Sequence, residues 1–568
     1  MWRRRAGSGV RPSGGRLDSS IVMRAGLVRR VFGVLLAVPV LLALAALPAS
    51  AHAQLESTTP AESSQLEVAP FAVTMVFSEE VGLSTRSLQV FDPAGRRVDA
   101  GAPEHPGGDS RVMRVALRPG LGRGSYTVSY RVVSVDGHPV SGTFAFGVGV
   151  PAGTVSELQG VDPVVGAIRT VLQLFSYAGT ALLVGGSCFV FWLWPRGRDS
   201  RRLDRLMIAA VTVAGVGAVG VLLMQGPYVA GRGLGGLLDT GLLGETFSTS
   251  YGRPLLLRVL AVALALPVLG IWPRVADGED SGAGGVAALG NAVLLAASFS
   301  LTGHAAEASP RLLAEAADAL HLLAAGVWIG GLAVLVFAFL PEADEATRAR
   351  VLPLWSRTAM TAVATIVVTG VYQGWRETQS VAALTGTGYG RLLLVKVAVL
   401  ALLLALAAFA RRSLAAAVAR PGGLRRIVEV EALLGLVVLA VTSFLVSTPP
   451  ARTSYAPPFT TNVQALDTDG AQIRVMLNVT PTKVGAQTVR LQASWVDGGV
   501  VPVTAATGAL TRKGDPAGAV RMTFAVTGPG QAIATGVVVP SAGEWTLTVQ
   551  VLTDATTDYA ATTSYRVR

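Results

Sequence analysis

Eight runs of apolar residues, at about 167–194, 207–229, 254–272, 286–303, 317–340, 356–375, 391–411 and 426–447, constrain this chain more than any other feature. Each is close to the ~20 residues a helix needs to cross the hydrocarbon of a bilayer, the third and fourth being the weakest. Hydrophobic residues make up 51% of the chain and charged residues 15%. The mean hydropathy is +0.52, so most of the middle must lie in lipid rather than in a water-soluble core. The expected fold class is a membrane protein with a transmembrane bundle of about eight helices over residues 165–447, flanked by polar domains at 52–150 and 450–568.

Arginine placement orients the bundle. The connections after the first, third, fifth and seventh runs carry fourteen arginines, from Arg196 to Arg426, and the opposite connections carry five, namely Arg232, Arg253, Arg311, Arg376 and Arg391. Cytoplasmic loops collect Lys and Arg. Both flanking domains are therefore expected outside the cytoplasm, since an even number of crossings returns the chain to its starting side. The formal net charge of +11 is accounted for by these topological arginines, which removes nucleic acid as a partner and leaves membrane lipid.

The first residues read as a secretory signal: Arg24, Arg29 and Arg30 precede the apolar run Val31–Leu47, with small Ala49 and Ala51 at the −3 and −1 positions. Residues 1–51 are then the signal peptide, 1–22 a start-site extension ahead of Met23, and His52 the first mature residue. The single cysteine, Cys188, lies in an apolar run, so no intrachain disulfide is available and the exported parts must hold by core packing.

Residues 52–150 alternate polar and apolar positions over short stretches such as Phe71–Phe77, Val112–Leu117 and Tyr126–Val133, with Gly, Pro and Asp turns between them, which predicts a β-sandwich. Residues 450–568 read the same way, as a β-sandwich-like domain; it contains no histidine and no cysteine, and partner contact or support is its default role.

Only five histidines occur, and two sit where copper chemistry needs them. A mature terminus at His52 offers an α-amine and an imidazole together. Asp136 and His138 are two apart, so on a strand both side chains point to one face. An amine, two imidazoles and a carboxylate suit the tetragonal preference of Cu(II). Spacing alone leaves an ordinary turn at Asp136–Pro139 and a frayed terminus equally open.

The segments His52–Leu55, Val76–Glu79 and Tyr130–Gly142 resemble the periplasmic copper-binding CopC family over nearly all of residues 52–148. The resemblance implies a Cu(II) site at His52, Asp136 and His138, with Glu79 as a weaker or supporting ligand. Met75 and Met113 are the only methionines there; Met75 alternates as a core residue would, and no Cu(I) site is expected. His105 is expected to be a solvated loop residue. The segments Leu301–Ala306, Asp318–Leu332 and Tyr389–Lys396 resemble the CopD family, over about 165–447. Ionisable groups inside membrane helices are costly and mark sites or pathways. His304 and His321 are accordingly expected to share a copper-admitting site, Asp318 to orient the His321 ring from one helical turn away, and Gly326, Gly330 and Gly331 to admit a close helix. Lys396 and Arg258 are expected to reach a carbonyl or the interface, since cations repel a copper ion.

The expected function is copper handling rather than catalysis: an exported domain captures Cu(II) and passes copper to the bundle, for import or resistance, and an exported copper chaperone or cuproenzyme is a further expected partner. No G-x-x-x-x-G-K-[ST] loop is present, so direct ATP drive of transport is not expected. The alternatives are an exported copper buffer anchored by its bundle and a haem-binding redox protein using His304 and His321.

Overall fold

A computed structural model of the chain describes residues 55–153, 161–270, 281–302, 310–412 and 421–567, apart from 63, 85, 135, 136, 468, 469, 514, 555 and 556. The expected signal segment, His52, Asp136 and His304 lie outside the described residues.

The first polar domain is a two-layer β-sandwich. One sheet has the order β1 (Leu55–Thr59), β3 (Ala72–Phe77), β7 (Val112–Leu117), β6 (Asp99–Glu104). The other runs β2 (Gln65–Leu66), β9 (Pro139–Val148), β8 (Gly124–Ser134), β4 (Val81–Gly82), with β5 (Leu88–Phe91) also on β8. The period-2 pattern is strict in β3, where Val73, Met75 and Phe77 are buried and the residues between them are not. Met75 and Met113 face each other across β3 and β7, both fully buried, and serve as core. His105 is less solvated than its loop position suggests: it is half-buried, and its Nδ1 lies 2.8 Å from the Val112 carbonyl.

The bundle comprises α1 (Pro163–Cys188), α2 (Arg201–Ala230), a short α3 (Thr240–Ser248), α4 (Gly252–Gly270), α5 (Ser281–Ser300), α6 (Arg311–Ala325), α7 (Glu345–Thr378), α8 (Gly388–Arg412) and α9 (Pro421–Val446). Seven helices among the described residues are long and apolar enough to cross a membrane, and eight if α3 and α4, bent by 98°, make one broken span. Local signals start these helices where the sequence says they should. Asp162 accepts from the Val164 and Val165 amides ahead of α1, Ser200 from Leu203 ahead of α2, and Asp344 from Thr347 ahead of α7. Beyond Ala325, α6 continues through two π-helical turns, Gly326–Gly330 and Leu335–Phe339, to Glu342. The first packs backbone to backbone on α1: a Cβ on Gly330 would fall 1.9 Å from the Ala181 carbonyl oxygen. Arg258, fully buried, donates to the Ser298 carbonyl at 2.8 Å and to the Thr302 hydroxyl at 2.9 Å.

After α9 a single turn, α10 (Ala451–Ser454), leads to eight antiparallel strands: β10 (Phe459–Leu466), β11 (Gln472–Thr480), β12 (Gly485–Trp495), β13 (Ala505–Arg512), β14 (Asp515–Gly528), β15 (Gln531–Val539), β16 (Gly543–Leu552) and β17 (Asp558–Val567). They form one closed barrel rather than two separate sheets, sealed where β10 meets β17 at Leu466↔Ala560. The inside of a barrel and the inner face of a sandwich demand the same alternation, so sequence periodicity does not distinguish them. Ile473, Val475, Leu477, Trp545, Leu547 and Val549 fill the barrel, whose interior is core.

Candidate functional site

The β8–β9 hairpin brings His138 to the bundle. Its turn needs a left-handed residue, supplied by Gly137 at φ 84°. The Gly137 amide donates to the Ser134 carbonyl and the Ser134 amide to the His138 carbonyl, both at 2.9 Å. Pro139, with no amide hydrogen, opens β9.

This turn does not project into solvent. His138 is only 7% exposed, and its ring meets Tyr228 of α2 edge-on, with centroids 6.2 Å apart and planes at 71°. The Gln225 side-chain amide donates to the Gly137 carbonyl at 2.8 Å, and Arg131 of β8 donates to the Val229 carbonyl at 3.1 Å. Tyr251, at the start of α4, lies directly under Gly137, where a Cβ would come within 2.4 Å of its ring. Arg169 of α1 ties these groups together. Its Nε donates to Gln225 Oε1 at 3.1 Å, its Nη2 to the Tyr251 hydroxyl at 2.7 Å, and its guanidinium sits 4.6 Å from the Tyr228 ring centroid. Beside the turn, between sandwich and bundle, runs a crevice of about 250 Å³ lined by Ser84, Arg86, Arg131, Gln225, Arg232 and Glu245 among others. Sequence reasoning missed Arg169, Gln225, Tyr228 and Tyr251 as a group. The available signal was polarity, since Arg169 and Gln225 interrupt two of the apolar runs.

Glu79, two residues before the Val81 that pairs with Ser134 at the base of this turn, makes a second contact across the junction. Its Oε1 lies 3.6 Å from Arg452 Nη1 on α10, while Arg452 Nε lies 3.1 Å from Glu377 and Glu377 lies 2.6 Å from Arg376, both at the end of α7. A charge cluster thus links the sandwich, the bundle and the segment leading to the barrel. It also places residues before α1 and after α9 at one end of the bundle.

His321, on α6, is hydrogen-bonded through Nδ1 to Thr369 Oγ1 of α7 at 2.9 Å. The Thr369 hydroxyl proton is already donated to the Thr365 carbonyl at 2.6 Å, so the ring Nδ1–H is the donor and Nε2 keeps its lone pair. Asp318 and His321 both lie within electrostatic reach of Lys396 on α8. Trp328, from the same stretch of chain, is core. No cluster of three or more His, Cys, Asp or Glu that could hold a metal occurs among the described residues.

Residues 55–149 match the family described as CopC domain, residues 164–311 the copper resistance protein D-like N-terminal domain, and residues 349–445 copper resistance protein D. The copper transport protein CutJ of Bacillus subtilis is 29% identical over 455 residues, 78% of this chain and 82% of its own. Protein YobA of Escherichia coli K12 is 35% identical over 98 residues, 17% of this chain and 79% of its own. Copper resistance protein C of Pseudomonas syringae pv. tomato is 32% identical over 103 residues, 17% of this chain and 81% of its own.

The chain belongs to the CopC/CopD copper-resistance family. In this CopC/CopD protein the CopC match covers the whole sandwich, and the two membrane matches cover α1–α5 and most of α7–α9. His321 and the π-helical turns fall between those two matches.

Proposed function

We propose that this protein captures Cu(II) on its sandwich and passes copper into the bundle for import, with copper as cargo. His52, Asp136 and His138 would form the capture site, and His304 and His321 the receiving one. The observation that carries this reading is the clamped turn: His138 is buried against Tyr228, with Gln225, Tyr251 and Arg169 fixing the loop that bears it. A metal held there faces membrane helices instead of water. Clamping replaces diffusion between two proteins by transfer within one, which raises the effective concentration of cargo at the receiving end.

The ion pair between Glu79 and Arg452 supports a common, extracytoplasmic side for the sandwich and the barrel. At His321, the Nδ1–H bond to Thr369 fixes the ring and aims the Nε2 lone pair as a metal ligand. Copper uptake by the full chain in proteoliposomes tests the proposal, with electron paramagnetic resonance of the loaded protein reporting Cu(II). Uptake is expected in the wild type, to fall at least tenfold in His138→Ala and to persist in His105→Ala. Binding without accumulation would refute transport and leave a buffer, and equal losses in both variants would refute the assigned capture site.

A further inference from the structure

Glu431 lies inside the last apolar helix, α9, six residues beyond Arg425, where that span begins. It is 5% exposed, its Oε1 has no hydrogen-bond partner, and no ion pair to it is found among the described residues. The neighbouring carboxylate on the same helix is different: Glu429 is paired with Arg425 at 2.9 Å. The ionisable side chains facing α9 from the elements packed against it are Arg169, Tyr177 and Cys188 of α1 and Tyr389, Arg391 and Lys396 of α8; the stretch of the α6 continuation in contact, Gly326–Phe339, carries none. None is hydrogen-bonded or ion-paired to Glu431 among the described residues.

A lone carboxylate without a partner is expensive in a medium that cannot solvate it, so such a site calls for a proton or a cation as its counterpart. The surroundings suit a working group. Gly435, one turn along the same face, packs on Ile329 of the π-helical turn: a Cβ there would lie 3.2 Å from Ile329 Cγ2. π-Turns inside α-helices concentrate at functional positions. Ile329 is eight residues beyond His321 on that helix, about 12 Å along its axis. The buried acid therefore borders the irregular half of the helix that carries His321.

From these observations we infer that Glu431 is a proton-binding site of the bundle, which releases its proton when cargo enters and takes one up when cargo leaves. The inference rests on the transport reading above. In the exchange the carboxyl O–H bond breaks, its electron pair stays on oxygen, and the proton passes to water; the carboxylate then offsets one positive charge of the copper ion. No redox partner is needed.

Infrared difference spectra of the full chain in lipid at pH 7, with and without copper salt, test the carboxyl directly. Proton flux in copper-loaded liposomes containing a pH-sensitive dye tests the coupling. A protonated-carboxyl component that copper diminishes is expected in the wild type, lost in Glu431→Gln, shifted in Glu431→Asp and unchanged in Glu429→Gln, above a copper-insensitive background from Glu62. Copper movement is expected to drive protons the opposite way in the wild type and in Glu429→Gln, with the proton signal reduced at least tenfold in Glu431→Gln. A copper-sensitive component identical in wild type and Glu431→Gln would overturn the inference, as would Glu431→Gln exchanging copper for protons at the wild-type rate. Liposomes that move no copper would sink the transport reading alone; the copper-sensitive band would still decide whether Glu431 responds to cargo.

Discussion

Placing one methyl group at Gly137 should lever the turn that bears His138 off the bundle. The residue has φ 84°, and an alanine Cβ would stand 2.4 Å from Tyr251 Cε2 and 2.5 Å from two more ring atoms. Alanine in the left-handed region costs about 1–2 kcal/mol. Relief of the clash requires the turn to rise, which breaks the Gln225–Gly137 hydrogen bond, worth about 1 kcal/mol. The sum is about 2–3 kcal/mol of local stability, or roughly 30- to 150-fold faster opening at 1.4 kcal/mol per factor of ten. Hydrogen exchange of the peptide containing Ser134, whose amide donates to the His138 carbonyl, reads that opening in the full chain. Tyr251→Ala makes room for the methyl, so in that background Gly137→Ala should cost only the backbone term of about 1–2 kcal/mol, a coupling of about 1 kcal/mol between the two positions. Additive effects, within about 0.5 kcal/mol, would refute the docking geometry.

Two more outcomes follow from groups outside the His138 turn. Burial pushes the Glu62 carboxyl up to about 7 from its ordinary 4.5, so the folded sandwich disfavours its ionised form: nothing is lost below pH 4.5, and stability falls as pH rises through 7. Glu62→Gln should therefore stabilise the protein at pH 8 by about 1–2 kcal/mol, less than the full shift because the half-buried group keeps some water, and have no effect at pH 4; thermal melting at the two pH values checks this, and equal effects would contradict it. Glu377→Gln leaves Arg376 and Arg452 facing an uncharged amide and should cost about 2 kcal/mol, seen as a lower melting temperature and faster exchange over residues 451–454. An unchanged melting profile would show that the cluster contributes nothing to the junction.

The sandwich was legible because its strands obey a local rule. Val73, Met75 and Phe77 alternate in the sequence and all point inward. The bundle was legible for a similar reason, as apolar length and capping residues such as Asp162 and Asp344 act within a turn or two of themselves. The third expected span was weak in the sequence and is broken in the fold, with a 98° bend between α3 and α4. Arg258 reaches a carbonyl, as a cation in a membrane helix must. The partner of His321 escaped notice because Thr369 lies 48 residues away on another helix, and one turn of helix made Asp318 the only visible candidate.

What the sequence determined by itself was the division into polar β-rich ends and an apolar middle, because hydropathy and strand alternation are properties of neighbouring residues. Tertiary structure alone decided what surrounds His138. Gln225 is 88 residues from Gly137 and Val229 is 98 residues from Arg131, and no periodicity reaches that far. It also decided that the C-terminal strands close on themselves, since Leu466 and Ala560 meet only once all eight strands have tilted and staggered around a common core. Buried polar groups must find partners wherever the fold brings them, and at this junction the partners came from three helices and a hairpin that share nothing in sequence.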